Sequence, residues 1–212
     1  MKNVDDLIES AAELTERGLS KGEIADELNV SRDTASWLIE RGSVDEPSPS
    51  VAPSVSGPHD IHVDWSALGR DSRRLSFAGK AMADLLSKEG ESVDLTIGIE
   101  KAGTPLATTI ARELDTDLSA YTPRKHQWEE GDIEELAGSF SRNFAQIEDR
   151  ECYIVDDIIT SGTTMTEAIE GVRARGGTPA ACVVLADKRG VEEIEGVPVF
   201  SLLQVIRVGN DH

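Results

Sequence analysis

The chain opens with apolar residues at helical spacing. Val4, Leu7, Ile8, Ala11, Ala12 and Leu14 form one stripe, which predicts a first helix ended by Gly18. Ser20-Lys21-Gly22-Glu23 has the S-x-x-E form of a capping box and opens a second, short helix with Ile24, Ala25 and Leu28 inward. Asn29-Val30 makes a tight turn. Ser31 then caps a third helix over Arg32 to Arg41, with Ala35, Leu38 and Ile39 on its apolar side and Gly42 closing it.

Further along, the period alternates. Helical patterns at about 70 to 88, 104 to 114 and 163 to 175 fall between β-like runs at Val93 to Ile99, Leu118 to Tyr121, Glu151 to Val155, Ala180 to Ala186 and Val197 to Leu203. Strands alternating with amphipathic helices predict an α/β fold with a mainly parallel sheet and flanking helices, its ligands beyond the carboxyl ends of the strands. Between the two patterns, SVDEPSPSVAPSVSGP (residues 43–58) has neither period and reads as an extended, semi-rigid linker. The expected organisation is a small all-α domain at 1–42, a Pro/Ser-rich linker at 43–58 and an α/β domain at 59–212.

Composition narrows the classes. No apolar run is long enough to span a bilayer, and the start, Met1-Lys2-Asn3-Val4-Asp5-Asp6, lacks the basic-then-apolar order of a signal peptide, so a cytoplasmic protein without a membrane partner is expected. Cys152 and Cys182 sit in separate β-like runs without metal-ligand spacing and read as buried reduced thiols. His59 and His62 have no third ligand nearby, so no resident metal is expected.

Charge adds a constraint. The net charge is −19, spread as −5, −2 and −12 over the three segments, and only seven of the 21 basic residues are lysine. Self-repulsion on this scale is screened by concentrated salt, which points to a salty cytoplasm; an ordinary acidic enzyme is the alternative. Such acidity would normally argue against a nucleic-acid partner.

The first segment argues for one. Two short helices joined by a three- or four-residue turn, with small Ala25 at the close approach, describe a helix-turn-helix. In that geometry the start of the third helix enters the major groove. Ser31, Arg32, Asp33, Ser36 and Trp37 then face double-stranded DNA, and Lys21 and Arg41 reach phosphates. A helical docking or oligomerisation bundle is the competing interpretation. Trp37 stands where many such modules carry a polar residue, and packing on the second domain is its other option.

YIVDDIITSGTTMTEAI (residues 153–169) carries the chemistry. A buried strand ends in Asp156 and Asp157, and Thr160, Ser161, Gly162, Thr163 and Thr164 lead into a helix expected to begin near Met165. Hydroxyls, backbone amides and the positive end of the helix dipole converge on an anion, and Gly162 lets the backbone come close to it. The two carboxylates upstream can accept from vicinal hydroxyls or approach a bound Mg²⁺. A phosphate plus a diol is a ribose 5-phosphate. Other phosphate and nucleophile motifs fail: Thr104-Pro105 follows Gly98 and Gly103 where a P-loop requires Lys then Ser or Thr, and Ile159 precedes Ser161 where a nucleophile elbow needs glycine. Solvated capping of a plain strand-turn-helix is the bland alternative.

VDDIITSGTT resembles the phosphoribosyl-pyrophosphate signature of type I phosphoribosyltransferases, and the likeness covers most of residues 60 to 205. By that resemblance Asp156 and Asp157 would hold ribose hydroxyls, Thr160 to Thr164 the 5-phosphate, and Glu100-Lys101-Ala102-Gly103 the pyrophosphate; Mg²⁺ would come only with the ligand, near Asp156 and Asp157. The arrangement is most similar to orotate phosphoribosyltransferases, in which a mobile loop after an Arg-Lys pair brings further cations to the pyrophosphate. Arg124-Lys125 matches the approach, but HQWEEGDIEE (126–135) holds five acids and no lysine or arginine, leaving Lys125 and His126 as the catalytic candidates if the domain is active.

The whole chain resembles the haloarchaeal phosphoribosyltransferase-like transcriptional regulators of sugar catabolism. The resemblance implies a DNA-binding regulator of glycolytic genes, working as a homodimer, with a small phosphorylated effector in a degenerate catalytic site and no required cofactor. The alternative is an active orotate or purine phosphoribosyltransferase using phosphoribosyl pyrophosphate.

Overall fold

The computed structural model describes residues 4–42, 60–123 and 138–206. The chain divides into two compact units, Met1–Asp64 and Trp65–His212. The expected linker, 43–58, lies outside the described residues.

The first unit holds three helices, α1 (Val4–Glu16), α2 (Lys21–Glu27) and α3 (Arg32–Gly42). Their apolar stripes meet in one core of Leu7, Ala11, Leu14, Ile24, Ala25, Leu28, Val30, Ala35 and Leu38. Each large side chain buried there is worth about 1.5–3 kcal/mol in removal from water. The capping box forms as spaced: the Ser20 N–H donates to Glu23 Oε2 at 2.7 Å and the Glu23 N–H to Ser20 Oγ at 3.4 Å. Asn29 turns the chain with a positive φ of 53°, and the Val30 N–H returns to the Ala25 carbonyl at 2.9 Å. Helix α3 runs through Gly42 instead of stopping before it. A Cβ there would lie 3.1 Å from that of Ala12, so this glycine permits the end of α3 to approach α1.

The second unit is a seven-stranded sheet in the order β3-β2-β1-β4-β5-β7-β6. The strands are β1 (Leu95–Ile99), β2 (Asp117–Thr122), β3 (Ser139–Phe140), β4 (Glu151–Ile159), β5 (Thr178–Asp187), β6 (Glu193–Ile194) and β7 (Val197–Gln204). All pairings are parallel except β2 with β3 and β6 with β7, the two short edge pairs. Helices α4 (Ser66–Gly69), α5 (Ser72–Glu89), α6 (Gly103–Leu114) and α7 (Thr163–Ala174) complete it.

Helices cover both faces of the sheet, which explains why its central strands are almost uninterrupted apolar runs. On one face, Cys152 and Ile154 of β4 pack with Met165, Ala168, Ile169 and Val172 of α7. On the other, Tyr153 and Val155 pack with Met82 and Leu86 of α5 and Leu106 and Ile110 of α6. Away from the switch between strands, Arg150 ties the starts of three of them together, its guanidinium 2.8 Å from Asp117 and 3.3 Å from Asp94. Cys152 and Cys182 are buried and free, and burial pushes the Cys152 thiol up to about 12. No helix among the described residues is long and apolar enough to cross a membrane.

Candidate functional site

Chain direction divides between β1 and β4. From β1 the chain passes through α6 to β2 on one side, and from β4 through α7 to β5 on the other, so the loops after β1 and β4 part and leave a crevice. The last β1–β4 pair is Gly98 with Val155. Beyond it, residues 100–102 turn into α6, while β4 continues through Asp156 and Asp157.

The first loop is held tightly. The Glu100 N–H donates to the Tyr121 carbonyl at 2.8 Å, and Thr122 Oγ1 donates to Glu100 Oε2 at 2.8 Å. The Glu100–Lys101 peptide is cis. Lys101 is exposed, Ala102 half-buried, and Gly103 buried as the first residue of α6, one residue earlier than the sequence pattern predicts.

The carboxylates do not emerge at a strand end, as the sequence suggested. Strand β4 continues to Ile159, pairing with β5 as far as Asp187, and Ile158 and Ile159 are both buried. Successive side chains of a strand point to opposite faces. Asp156 therefore follows Cys152 and Ile154 toward the α7 side, and Asp157 follows Tyr153 and Val155 toward α5 and α6. The Asp157 N–H donates to Asp156 Oδ1 at 2.9 Å, and Asp157 Oδ2 accepts from the Trp65 indole N–H at 2.9 Å. Burial holds the Asp157 carboxyl above the usual carboxylate range, against the opposing pull of these hydrogen bonds.

Beyond Ile159 the chain turns through Thr160 and Ser161 to Gly162, whose φ of +82° would strain any residue with a Cβ. Helix α7 starts at Thr163, so Thr163 and Thr164 lie in its first turn and not in the loop before it. The Thr163 N–H donates to Ser161 Oγ at 3.4 Å, and Ser161 Oγ donates to Thr163 Oγ1 at 3.1 Å. Hydroxyls and amides thus cluster at the positive end of a twelve-residue helix.

Two residues here escaped the sequence reading. Arg189, past the end of β5, donates its guanidinium to the Ser161 carbonyl and lies where a Cβ on Gly162 would meet Nη1 at 2.9 Å. Its backbone is fixed by buried Asp187, which accepts the Arg189 and Val191 N–H groups, each at 2.8 Å. The local signal was a carboxylate closing an apolar strand ahead of Lys-Arg-Gly. Trp65 gave no such signal, since 92 residues separate it from Asp157. Lys125 and His126, with the acidic stretch that follows, lie outside the described residues.

In the helical unit, four residues form the turn between α2 and α3, Leu28 to Ser31. Lys21, Arg32, Asp33 and Arg41 are exposed, and Ser31, Ser36 and Trp37 are half-buried. Trp37 packs against the core of its own three helices, and the Arg41 guanidinium lies 4.8 Å above its ring. Ser31 caps α3 by accepting the Thr34 N–H at 3.1 Å. A second cap is Asp60: its Oδ2 accepts from the Ser31 N–H and, at 3.2 Å, from Thr34 Oγ1.

Residues 64–207 match the model of the phosphoribosyl transferase domain. The solved orotate phosphoribosyltransferase of Aeropyrum pernix aligns with a TM-score of 0.57 at 22% identity, covering 80% of this chain and 92% of its own. That likeness fixes the fold, a type I phosphoribosyltransferase sheet preceded by small helices. Over the full length, the chain is 69% identical to the transcriptional regulator GfcR of Haloquadratum walsbyi, covering 96% of it, and 69% identical to that of Haloarcula marismortui, covering 99%. The chain belongs to the phosphoribosyl transferase domain family and, across all its residues, to the archaeal family of proteins named transcriptional regulator GfcR.

Proposed function

We propose that this chain is a DNA-binding transcriptional regulator in which a phosphoribosyltransferase crevice serves as the sensor of a phosphorylated ribose or sugar. The observation that carries the reading is its full-length 69% identity to proteins named as regulators, since that identity includes the helical unit as well as the crevice. Arg32, Asp33 and Ser36 on the first turns of α3 are the base-reading candidates, and Lys21 and Arg41 the phosphate-binding ones. Two copies are needed to read half-sites about one helical turn apart, roughly 34 Å, so the working form is a homodimer.

In the crevice, Asp156 and Asp157 accept from ribose hydroxyls, and the loop at Thr160–Thr164 takes the 5-phosphate on its hydroxyls, its amides and the α7 dipole. Lys101, Ala102 and Gly103 line the place of a pyrophosphate. Carboxylate oxygens suit Mg²⁺, which would arrive with a pyrophosphate-bearing ligand beside Asp156 and Asp157. The ligand switches transcription only by binding the DNA-competent and incompetent arrangements with different affinity. The genes it controls are those of sugar catabolism.

A second reading keeps transferase activity. It is favoured by a crevice in which Gly103, both carboxylates and the Gly162 turn remain in place, and opposed by the lack of lysine and arginine in 126–135. One experiment separates the two. Purified protein is incubated with fragments of its own genomic DNA, recovered fragments are sequenced, and the same preparation is assayed for pyrophosphate release from phosphoribosyl pyrophosphate with orotate or adenine. Discrete enriched sites that disappear with Arg32→Ala, without pyrophosphate release, support the regulator. Rapid release without enrichment overturns it.

A further inference from the structure

The phosphate loop carries no cation of its own. Thr160, Ser161, Gly162, Thr163 and Thr164 are neutral, and so are Met165 and Thr166, which complete the first turn of α7. A guanidinium reaches it from the neighbouring strand. Ile159 at the end of β4 pairs with Asp187 at the end of β5, so the turns that follow these strands start side by side. The Lys188 N–H donates to the Ile159 carbonyl at 3.0 Å, and buried Asp187 takes the Arg189 and Val191 N–H groups at 2.8 Å each. Gly190 then turns the chain with a positive φ of 65°. The backbone that carries Arg189 is fixed by these contacts, and its Nη1 donates to the Ser161 carbonyl.

Peptide geometry gives that hydrogen bond a consequence. The Ser161–Gly162 peptide is trans, so its carbonyl and its N–H point to opposite sides of one plane. Holding the carbonyl on Arg189 aims the Gly162 N–H away from the guanidinium. Gly162 is the N-cap of α7, and N–H groups at that end have no partner within the helix. Glycine leaves such a peptide conformationally free, and a flipped one would turn the Ser161 carbonyl oxygen toward an anion. A Cβ on Gly162 would lie 2.9 Å from Nη1, so the arginine and the positive φ both require glycine at this position.

We propose that Arg189 is a positioning residue of the phosphate loop: it holds the Ser161 carbonyl and thereby presents the Gly162 N–H to a phosphate monoester. This rests on the ligand reading proposed above and adds to that site a residue from outside the loop. Arg189 acts through the peptide it orients. A charge felt only at a distance would be screened by salt, whereas a hydrogen bond that fixes a peptide would not.

The test uses the full-length chain with ribose 5-phosphate and inorganic phosphate as probes. Each is titrated by calorimetry in about 0.1 M and about 1 M KCl, between which the Debye length falls from about 10 to 3 Å. The Gly162 amide is followed by NMR in the same samples. Arg189→Met keeps an unbranched stem and loses the donors, and because Arg189 is exposed the variant should melt close to the wild type. It is expected to bind both probes roughly tenfold more weakly at both salt concentrations, the scale of one hydrogen bond to a charged group. In the wild type either probe moves the Gly162 amide proton downfield, and in Arg189→Met most of that movement is lost. A loss of affinity confined to the lower salt would make Arg189 a distant charge and overturn the inference. Unchanged affinity in the variant would overturn it too, with the ligand reading intact. A wild type that binds neither probe would overturn the ligand reading and this inference together.

Discussion

Gly103 lies against the Val155 carbonyl so closely that a Cβ on it would sit 2.3 Å from that oxygen and 2.9 Å from the Asp156 Cα. The loop after β1 is therefore fitted to the backbone of β4 at the point where the carboxylates begin. Neither partner can retreat: Gly103 starts α6, and Val155 is buried in the sheet. Gly103→Ala should cost about 1–3 kcal/mol, as overpacking does, and lower the melting temperature by several degrees. It should also weaken ribose 5-phosphate binding by spreading the crevice. Thermal unfolding and a binding titration check both effects, and an unchanged melting point would contradict the fit.

Asp157 should trade stability for ligand binding. Its carboxyl is raised by burial, so the folded state disfavours the ionised form, and at neutral pH that form costs stability. For a raised carboxyl the penalty is complete above the folded pKa and disappears as the pH falls below the ordinary carboxylate value. Asp157→Asn should melt on the order of a few degrees higher than the wild type at pH 7 while losing affinity for ribose 5-phosphate. The difference in melting temperature should close as the pH is lowered through the carboxylate range. A difference that widens on acidification would show the opposite sign of shift.

Salt should stabilise both units. A net charge of −19 is distributed along the chain, so its repulsion is long-ranged. Raising KCl from about 0.1 to 1 M shortens the Debye length from about 10 to 3 Å and removes most of that repulsion. The melting temperature should climb steadily over this range, more than it does in sucrose at matched water activity. A flat response to KCl would mean the acids are locally compensated.

Much of this fold was legible because its strands and helices obey their own periods. The apolar runs found β1, β2, β4, β5 and β7, and the stripes found α1 to α3 and α5 to α7. What escaped was set by distant partners. Strand β4 outruns Val155 because β5 continues to pair with it as far as Asp187, although the Asp156-Asp157 doublet looks locally like a strand end. The edge pairs β3 and β6 are two residues long, too short to show a period. In the crevice, the phosphate loop could be read from small and hydroxylated residues next to one another in sequence. Trp65 and Asp60 could not, because each acts on a residue far along the chain.

The central claim is that this chain reads DNA through α3 under the control of its crevice. Chromatin immunoprecipitation of the tagged protein in its own host, wild type beside Arg32→Ala and Asp156→Asn, tests it most directly. Discrete promoter peaks at sugar-catabolism genes that vanish with Arg32→Ala, and that no longer respond to a change of carbon source with Asp156→Asn, are the predicted result. No peaks in any strain, at normal protein levels, would contradict it.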